Sequence, residues 1–231
     1  MKWPLERPLA GVDGRTLDVR TSQLPRTVAR HRRADEGTPA LSALRQDLIN
    51  IVKKYGLEHL DEPVQLASGG WSSDFIDGKR ALARGDNLRL ACEALIELAG
   101  EMGVEFDAVG GLTLGADQFA HGVAILKPCD WFVVRKERKG RGTNKRIEGS
   151  DLKPGSRVLL VDDVVTRGGS IRDAYNAVRN ESGAVIVGAV TLVDRGGHAD
   201  GFFKDERVPY RPLVTYEDLG IEPVDGGLLN A

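Results

Sequence analysis

The chain has 231 residues, and its 32 Lys and Arg side chains nearly balance its 34 Asp and Glu side chains, for a net charge of -2 at pH 7. This balance excludes a global basic field of the kind that recruits nucleic acid or anionic lipid, so any anion site must be local. Two cysteines, Cys92 and Cys129, are too few for a disulfide framework and no stretch approaches the ~20 apolar residues of a membrane span, so we expect a protein of the reducing cytoplasm that binds no membrane.

The N-terminal residues predict no regular element, because prolines and glycines break every period. We interpret residues 1–38 as a partly ordered extension, with a docking arm across a partner subunit as the alternative. The main domain, residues 39–231, is expected to begin with a helix that Thr38 caps and that has Pro39 at its first position. Gly56 is expected to end this helix. Its apolar face comprises Leu41, Leu44, Leu48, Val52 and Tyr55.

A hairpin and a second helix are predicted next. Two short β-like pieces, residues 64–67 and 74–77, flank the glycine turn at residues 68–70, and this pattern indicates a β-hairpin. Asp86 is expected to cap the helix that follows. The core-facing stripe of that helix comprises Leu88, Ala91, Leu95, Leu98 and Met102.

Two segments of unusual composition follow short predicted strands. The strand at residues 106–109 leads into GGLTLGAD, residues 110–117, which is a candidate phosphate-binding turn. The strand at residues 131–134 leads into RKERKGRGTNKRIEG, residues 135–149, in which seven of the twelve residues 135–146 are basic. A solvated loop, a nucleic-acid surface and a lid that closes on an anion are the alternatives, and the lack of aromatic side chains in the run disfavours nucleic acid.

The most specific stretch is RVLLVDDVVTRGGS, residues 157–170. Its apolar run predicts a strand that is buried on both faces of a parallel sheet and that Asp162 and Asp163 end. A glycine turn follows, and Ser170 opens a helix in which Asp173 completes a capping-box pattern. Free backbone N–H groups and the positive end of the helix dipole meet at the turn, so the stretch predicts a phosphate cradle.

The two acids restrict the ligand of this cradle. A carboxylate repels a phosphate unless it faces hydroxyls or a metal ion, so the pattern favours a sugar phosphate whose diol meets Asp162 and Asp163. Adjacent strand residues point to opposite faces, so we expect the two acids to make different contacts, with Asp163 closer to the ribose. The last long strand, residues 184–195, finishes in Asp194 and Arg195, which an ion pair on the rim of the sheet would explain.

Residues 157–170 resemble the phosphoribosyl-pyrophosphate (PRPP) motif of the type I phosphoribosyltransferases, and the segments around them resemble the orotate phosphoribosyltransferases. The resemblance runs from about residue 41 to residue 220 and implies an α/β fold with a central parallel sheet flanked by helices. It also implies a small hood subdomain, contributed by about residues 41–80 and the C-terminal segment, and a flexible basic lid at residues 135–149.

The activity that the resemblance implies is the Mg²⁺-dependent transfer of phosphoribosyl from PRPP to orotate in pyrimidine biosynthesis. The products are orotidine 5′-monophosphate and pyrophosphate. In the resembled family the lid reaches into the neighbouring subunit's site, which implies a homodimer. PRPP and orotate are thus the expected partners, and nucleic acid is not.

The resemblance also implies a role for each candidate site residue. Lys139, Asp163 and Arg141 are expected to be catalytic, and Mg²⁺ is expected to bind mainly through substrate and water, with Asp162 or Asp163 as protein ligand. The residues implied to bind PRPP are Arg135, Lys136, Lys139, Arg141, Asp162, Asp163, Thr166, Arg167, Gly168, Gly169, Ser170 and Thr113. Those implied to bind orotate are Ser68, Phe75, Ile76, Thr166 and Arg195, of which Arg195 grips the carboxylate.

Several positions depart from the resembled pattern. Ala67 stands where many members have Lys, and Thr113 and Leu114 stand where the family often has a Tyr-Lys pair. Arg141 replaces a histidine, which keeps a cation but not a proton donor near neutral pH. Arg167 occupies a position where a small residue or Thr is usual, and it is expected either to add a cation at the 5-phosphate or to point to solvent.

Two other functions stay open at this stage. One is a type I phosphoribosyltransferase that acts on a different base, and the other is a non-catalytic PRPP-sensing regulator that binds nucleic acid through the basic run. Arg195 and the hood favour orotate, because a purine has no carboxylate for a guanidinium to grip. The presence of Lys139 and of both acids argues against the regulator.

Overall fold

The computed structural model describes residues 40–66, 69–138 and 145–224. The strands are β1 (Leu57–Gln65), β2 (Trp71–Ile76), β3 (Ala108–Leu112), β4 (Asp130–Val134), β5 (Ile147–Gly149), β6 (Arg157–Val165), β7 (Val185–Asp194) and β8 (Tyr210–Thr215). The helices are α1 (Leu41–Ile51), α2 (Gly78–Ala81), α3 (Gly85–Glu101), α4 (Asp117–Leu126), α5 (Gly169–Ser182), α6 (His198–Asp205) and α7 (Tyr216–Leu219). A π-helical turn, Val52–Gly56, continues α1. The extension predicted for residues 1–38 lies outside the described residues.

The main sheet has six strands in the order β5-β4-β3-β6-β7-β8. All its pairs are parallel except β4 with β5, so the predicted α/β fold with a central parallel sheet is confirmed. The strands β3 and β6 lie side by side at the centre of the sheet. From β3 the chain continues outward to β4 and β5 at one edge, and from β6 it continues outward to β7 and β8 at the opposite edge. This reversal opens a crevice beyond the carboxyl ends of β3 and β6, which is where open α/β sheets bind ligands.

The β6 strand shows why its sequence is a continuous apolar run. Leu159 and Val161 pack in the layer that contains α1 and α3, whereas Val158 and Leu160 pack against the layer that contains α5 and α6. Successive side chains of a strand point to opposite faces, so both sets are buried. The predicted burial of this strand on both faces is therefore correct.

The predicted hairpin, which we call the hood hairpin, pairs β1 with β2 in antiparallel register, as the glycine turn predicts. The strands are longer than expected, and Leu66 N–H donates to the Gly70 carbonyl over 2.7 Å at the turn. On the C-terminal segment, Val224 lies close to this turn, since a Cβ on Gly70 would lie 3.2 Å from Val224 Cγ1.

None of the helices in the described ranges is long and apolar enough to span a membrane.

Three details of the helix predictions are wrong. The α1 helix begins at Leu41, because Ala40 is extended (ψ 142) and serves as its N-cap in place of Thr38. Tyr55 is 37% exposed, since the π-helical turn rotates it off the apolar face of α1. Arg84 is the N-cap of α3, and Asp86 lies one residue inside the helix, where its charge still favours the positive end of the dipole.

Candidate functional site

Two adjoining cavities occupy the crevice at the carboxyl ends of β3 and β6. The larger, of about 680 Å³, we call the acid-pair cavity, and the smaller, of about 370 Å³, the guanidinium cavity. Val164 and Ser170 line both, so the cavities are neighbours. The acid-pair cavity has Lys79, Thr113, Leu114, Gly115, Arg135, Lys136, Asp162 and Asp163 among its lining residues. The guanidinium cavity has Phe75, Ile76, Thr166, Arg167, Gly169, Arg172 and Arg195 among its lining residues.

Asp162 and Asp163 do not end their strand, which continues to Val165. Pairing of β6 with β7 persists past the acids, and this holds them in extended backbone. Both carboxylates turn to the same loop, because a Cβ on Gly115 would lie 2.3 Å from Asp162 Oδ1 and 2.7 Å from Asp163 Oδ1. The expectation that the two acids face opposite ways is therefore wrong for their carboxylates.

Local hydrogen bonds explain this shared direction. The Asp163 N–H donates to Asp162 Oδ1 over 3.0 Å, and the Val164 N–H donates to Asp163 Oδ1 over 2.8 Å. Each bond draws a carboxylate forward along the strand toward the Gly115 loop. The pair of acids thus forms one negative edge of the acid-pair cavity.

The acid pair is strongly desolvated. Asp162 is 4% exposed, and its Oδ2 atom has no hydrogen-bond partner among the described residues. Burial, with the neighbouring charge of Asp163, raises the pKa of Asp162 to about 7. Lys79 Nζ lies 2.5 Å from Asp163 Oδ2, and although burial opposes its charge, the hydrogen bond and charge of Asp163 raise the pKa of Lys79.

The glycine turn leads into α5 as predicted, but the predicted capping box does not form. Gly168 is the N-cap in left-handed conformation (φ 77), and no side chain of the described residues caps the helix. Asp173 instead accepts a bidentate pair from Arg146, with Nη1–Oδ1 2.9 Å and Nη2–Oδ2 2.5 Å. The first backbone N–H groups of α5 are therefore left for a ligand, and Gly169 and Ser170 face the guanidinium cavity.

Several basic side chains of residues 135–146 form ion pairs with acidic side chains. The Arg135 N–H donates to the Arg146 carbonyl over 2.9 Å, which closes the base of a loop between β4 and β5. Arg138 pairs with Glu181 over 2.9 Å and Lys145 with Asp151 over 3.8 Å. Several cations of the run thus hold the loop rather than face the cavity, and the short strand β5 lies within the predicted lid range.

Of the other predicted lid residues, two line the acid-pair cavity and two lie outside the described residues. Arg135 and Lys136 line the acid-pair cavity, and Arg135 also pairs with Glu148 over 3.3 Å. The predicted catalytic residues Lys139 and Arg141 lie outside the described residues, as does Ser68 of the hood turn.

Arg195 is almost completely buried, at 1% exposure, and burial lowers the pKa of its guanidinium. Nη1 donates to the Asp74 carbonyl over 2.9 Å and Nη2 to Ser72 Oγ over 3.2 Å, while Nε has no partner among the described residues. The alternative of an ion pair with Asp194 is wrong, because Asp194 accepts from the Gly197 N–H and the Tyr210 hydroxyl. A buried guanidinium that makes no ion pair within the described part of the chain suits an incoming anion.

Arg167 reaches across the guanidinium cavity to the hood turn. A Cβ on Gly69 would lie 3.8 Å from Arg167 Nη1, and one on Gly70 would lie 3.7 Å from Nη2. Its Nε atom is buried with no hydrogen-bond partner among the described residues. Phe75, 42% exposed, and the buried Ile76 line the same cavity.

Thr113 follows β3 and lines the acid-pair cavity, where its hydroxyl donates to Asp117 Oδ1 over 2.9 Å.

Two cations at the site, Lys79 and Arg172, are not predicted from the sequence. Lys79 stands in the DGKR segment directly after the hood hairpin, and a basic residue there is the only sequence signal. Arg172 lies one turn inside α5 and donates from Nη2 to the His198 carbonyl over 3.1 Å.

Comparison with known proteins adds an independent observation. A family model described as the phosphoribosyl transferase domain matches residues 82–202. The orotate phosphoribosyltransferase of Corynebacterium glutamicum is 40% identical over 179 residues, which cover 77% of this chain and 94% of the relative. That of Aquifex aeolicus is 38% identical over 181 residues, which cover 76% of this chain and 97% of the relative.

Solved structures give the same pattern. The crystal structure of Mycobacterium tuberculosis orotate phosphoribosyltransferase in complex with PRPP matches with a TM-score of 0.64 and 33% identity, over 77% of this chain and 99% of that chain. The adenine phosphoribosyltransferase of Leishmania donovani, at 17% identity, a TM-score of 0.55 and coverage of 80% of this chain and 86% of its own, is similar in fold alone.

Proposed function

This chain belongs to the orotate phosphoribosyltransferase family, and on that premise we propose that it transfers the phosphoribosyl group of PRPP to orotate. The products are orotidine 5′-monophosphate and pyrophosphate. The observation that carries the proposal is the buried Arg195, which makes no ion pair with any described residue and lines a cavity beside the phosphate cradle and the acid pair. A carboxylate-bearing base and a sugar phosphate would complement these three features together.

PRPP would span both cavities. Its 5-phosphate would accept from the free N–H groups of α5 at Gly169 and Ser170, with Thr166 and Gly168 shaping the turn. Arg167 lines the same cavity with a partly unsatisfied guanidinium, which supports a role as an added cation at this phosphate rather than a solvent-exposed side chain.

The ribose and pyrophosphate of PRPP would lie in the acid-pair cavity. Asp162 and Asp163 would accept from the ribose hydroxyls, which would relieve the unmet hydrogen bond of Asp162. Thr113, Arg135 and Lys136 line the same cavity and would face the pyrophosphate. Lys139 and Arg141 would add lid cations, in keeping with the catalytic roles implied by the family.

Catalysis would need no protein nucleophile, because PRPP is already activated. The transition state places positive charge on the sugar and negative charge on the departing pyrophosphate. Asp163 would stabilise the sugar, and Lys139 with Arg141 would stabilise the leaving group. Closure of the lid would exclude water and suppress hydrolysis.

Two adjacent carboxylates suit a magnesium ion that takes most of its ligands from substrate and water. No cluster of three or more His, Cys, Asp or Glu side chains with metal-binding geometry occurs in residues 40–66, 69–138 and 145–224. Asp162 or Asp163 would hold the ion together with substrate oxygens, through a carboxylate oxygen that the ribose hydroxyls leave free. When bound, the ion supplies charge neutralisation at the pyrophosphate.

Orotate would occupy the guanidinium cavity. Arg195 would grip its carboxylate, Phe75 and Ile76 would contact the ring, and Thr166 and Ser68 would supply hydroxyl groups. The homodimer with a shared lid stays a prediction that rests on the family, and the cytoplasmic location stays a prediction that rests on the low cysteine count and the lack of a long apolar stretch.

A screen of bases tests the proposal. Orotate, uracil, adenine and hypoxanthine are each mixed with PRPP, Mg²⁺ and the full chain, and pyrophosphate release is measured. Uracil is the matched control, because it lacks only the carboxylate. We expect release with orotate and little with uracil; release with another base but not with orotate would overturn the proposed specificity, and release with none would favour the regulator.

A further inference from the structure

Lys79 joins the hood to the acid pair. It is the second residue of the four-residue helix α2, and its Nζ atom lies 2.5 Å from Asp163 Oδ2. Half of its side chain is exposed, toward the acid-pair cavity that it lines. It is therefore a cation at the site that comes from neither the lid nor the phosphate cradle.

The packing of α2 against β6 places the Lys79 side chain beside Asp163. Asp77 caps α2 by accepting from the Arg80 N–H over 3.0 Å, which fixes the start of the helix. A Cβ on Gly78 would lie 3.1 Å from Asp163 Cβ and 3.3 Å from Val164 Cγ2. A glycine at this position lets α2 approach β6 closely enough for Lys79 to reach the acids.

The charges of the acid-pair cavity explain why such a cation matters. Four acidic residues (Glu137, Glu148, Asp162 and Asp163) and three basic ones (Lys79, Arg135 and Lys136) line its described part. Arg135 is engaged by Glu148, and the Thr113–Gly115 loop that faces the acids carries no charge. Binding of a polyanion in this cavity is therefore favoured by a cation, in addition to Lys136, that can be turned toward it.

We propose that Lys79 is a substrate-binding residue that exchanges Asp163 for the pyrophosphate group of PRPP. In the free protein, its ammonium group pairs with Asp163 and offsets part of the negative charge of the acid pair. When the ribose hydroxyls of PRPP donate to Asp162 and Asp163, Lys79 turns to the pyrophosphate oxygens. A lysine suits this exchange, because it is a point charge on a flexible stem with three rotatable donors. The inference rests on the proposed function.

A purely structural ion pair is the alternative, in which Lys79 only fastens the hood to β6. The two roles differ in what they change. A pyrophosphate ligand affects PRPP and pyrophosphate but spares orotate, whereas a fastening residue affects both substrates through the hood. Arg80 is the matched control, because it is the next residue of α2 and pairs with the exposed Glu58 over 3.3 Å.

The experiment compares wild type, Lys79→Ala, Lys79→Arg and Arg80→Ala. Calorimetric titration with pyrophosphate and Mg²⁺ measures binding, and steady-state kinetics measure KM for PRPP and for orotate. Lys79→Ala should weaken pyrophosphate binding and raise KM for PRPP by about tenfold or more, as expected for the loss of one charge-assisted hydrogen bond. Its KM for orotate should stay unchanged, Lys79→Arg should recover part of the loss, and Arg80→Ala should match wild type.

Two results would overturn the inference: unchanged pyrophosphate affinity in Lys79→Ala, or an equal loss for PRPP and orotate. Wild-type protein without turnover on orotate would contradict the proposed function instead. In that case the pyrophosphate titration still decides the role of Lys79, because it needs no acceptor base.

Discussion

Arg195 Nη1 donates a hydrogen bond to the backbone carbonyl of Asp74 over 2.9 Å, so the residue that follows β7 is tied to β2 of the hood hairpin. The two residues are 121 positions apart in the chain. The bond fixes the guanidinium while leaving Nε without a partner among the described residues. The proposed base site is thus built between the hood and the main sheet.

Removal of this guanidinium should impair the orotate site selectively. We expect Arg195→Gln to raise KM for orotate roughly 100-fold, because a buried charge-assisted bond to the carboxylate is lost. Pyrophosphate affinity, measured by calorimetry, should stay within about twofold of wild type. Arg211→Gln is the control, since Arg211 pairs with the exposed Glu101 over 3.3 Å. An unchanged KM for orotate in Arg195→Gln would remove Arg195 from its role.

The loop after β3 should tolerate no side chain at Gly115. The added Cβ of Gly115→Ala would lie 2.3 Å from Asp162 Oδ1, so either the loop or the acid pair must move. We expect turnover to fall at least about 100-fold, as misplacement by about 1 Å can cost that much. Gly100→Ala in α3 meets no atom within 4 Å and should stabilise the protein by about 0.5–1 kcal/mol. Normal turnover in Gly115→Ala would show that the acid pair is not held as described.

Asp162 should make stability depend on pH. Its pKa, raised to about 7 from 3.8, means that the folded state keeps a proton that the unfolded state releases between these values. The protonated Asp162 therefore costs the folded state least at low pH, and the free energy of unfolding decreases as the pH rises toward and through about 7. Asp162→Asn keeps an acceptor for the Asp163 N–H without the charge.

Thermal unfolding checks this prediction. We expect Asp162→Asn to raise Tm over wild type, and to raise it more at about pH 8 than at about pH 5. Turnover on PRPP and orotate should fall in the same variant. A Tm difference that is larger at the lower pH would contradict the electrostatic cause.

Subunit mixing tests the shared lid. Lys139→Ala and Asp163→Asn should each lower turnover by about 100-fold or more, because each loses a charge that stabilises the transition state. If the lid reaches the neighbouring subunit, a mixture of the two variants forms some sites with both residues intact. We expect about a quarter of wild-type activity from random exchange into dimers. Absence of recovery, once exchange is shown by labelled subunits, would place each lid over its own subunit's site.

The sequence predicts the features that depend on local pattern. The apolar run before Asp162 predicts the central strand, because burial on both faces removes polar residues from it. The glycines after Thr166 predict the helix start, because Gly168 adopts a left-handed conformation that glycine favours. The fold class and the position of the cradle follow from these patterns.

The sequence misses contacts between distant segments. Lys79 meets Asp163 across 84 positions, and Asp173 meets Arg146 across 27. The capping-box pattern at Ser170 fails because α5 begins at Gly169, with Gly168 as its N-cap, so Ser170 already lies inside the helix, and the carboxylate of Asp173 pairs with Arg146. The common direction of Asp162 and Asp163 depends on the Gly115 loop, which no local pattern encodes.

The central claim is that this crevice joins orotate to PRPP. The most direct measurement is the formation of orotidine 5′-monophosphate and pyrophosphate by the full chain from PRPP, orotate and Mg²⁺, with Asp163→Asn as the matched variant. We predict equal amounts of the two products from wild type and at least about a 100-fold lower rate from the variant. No orotidine 5′-monophosphate from folded wild-type protein, or equal rates from both proteins, would contradict the claim.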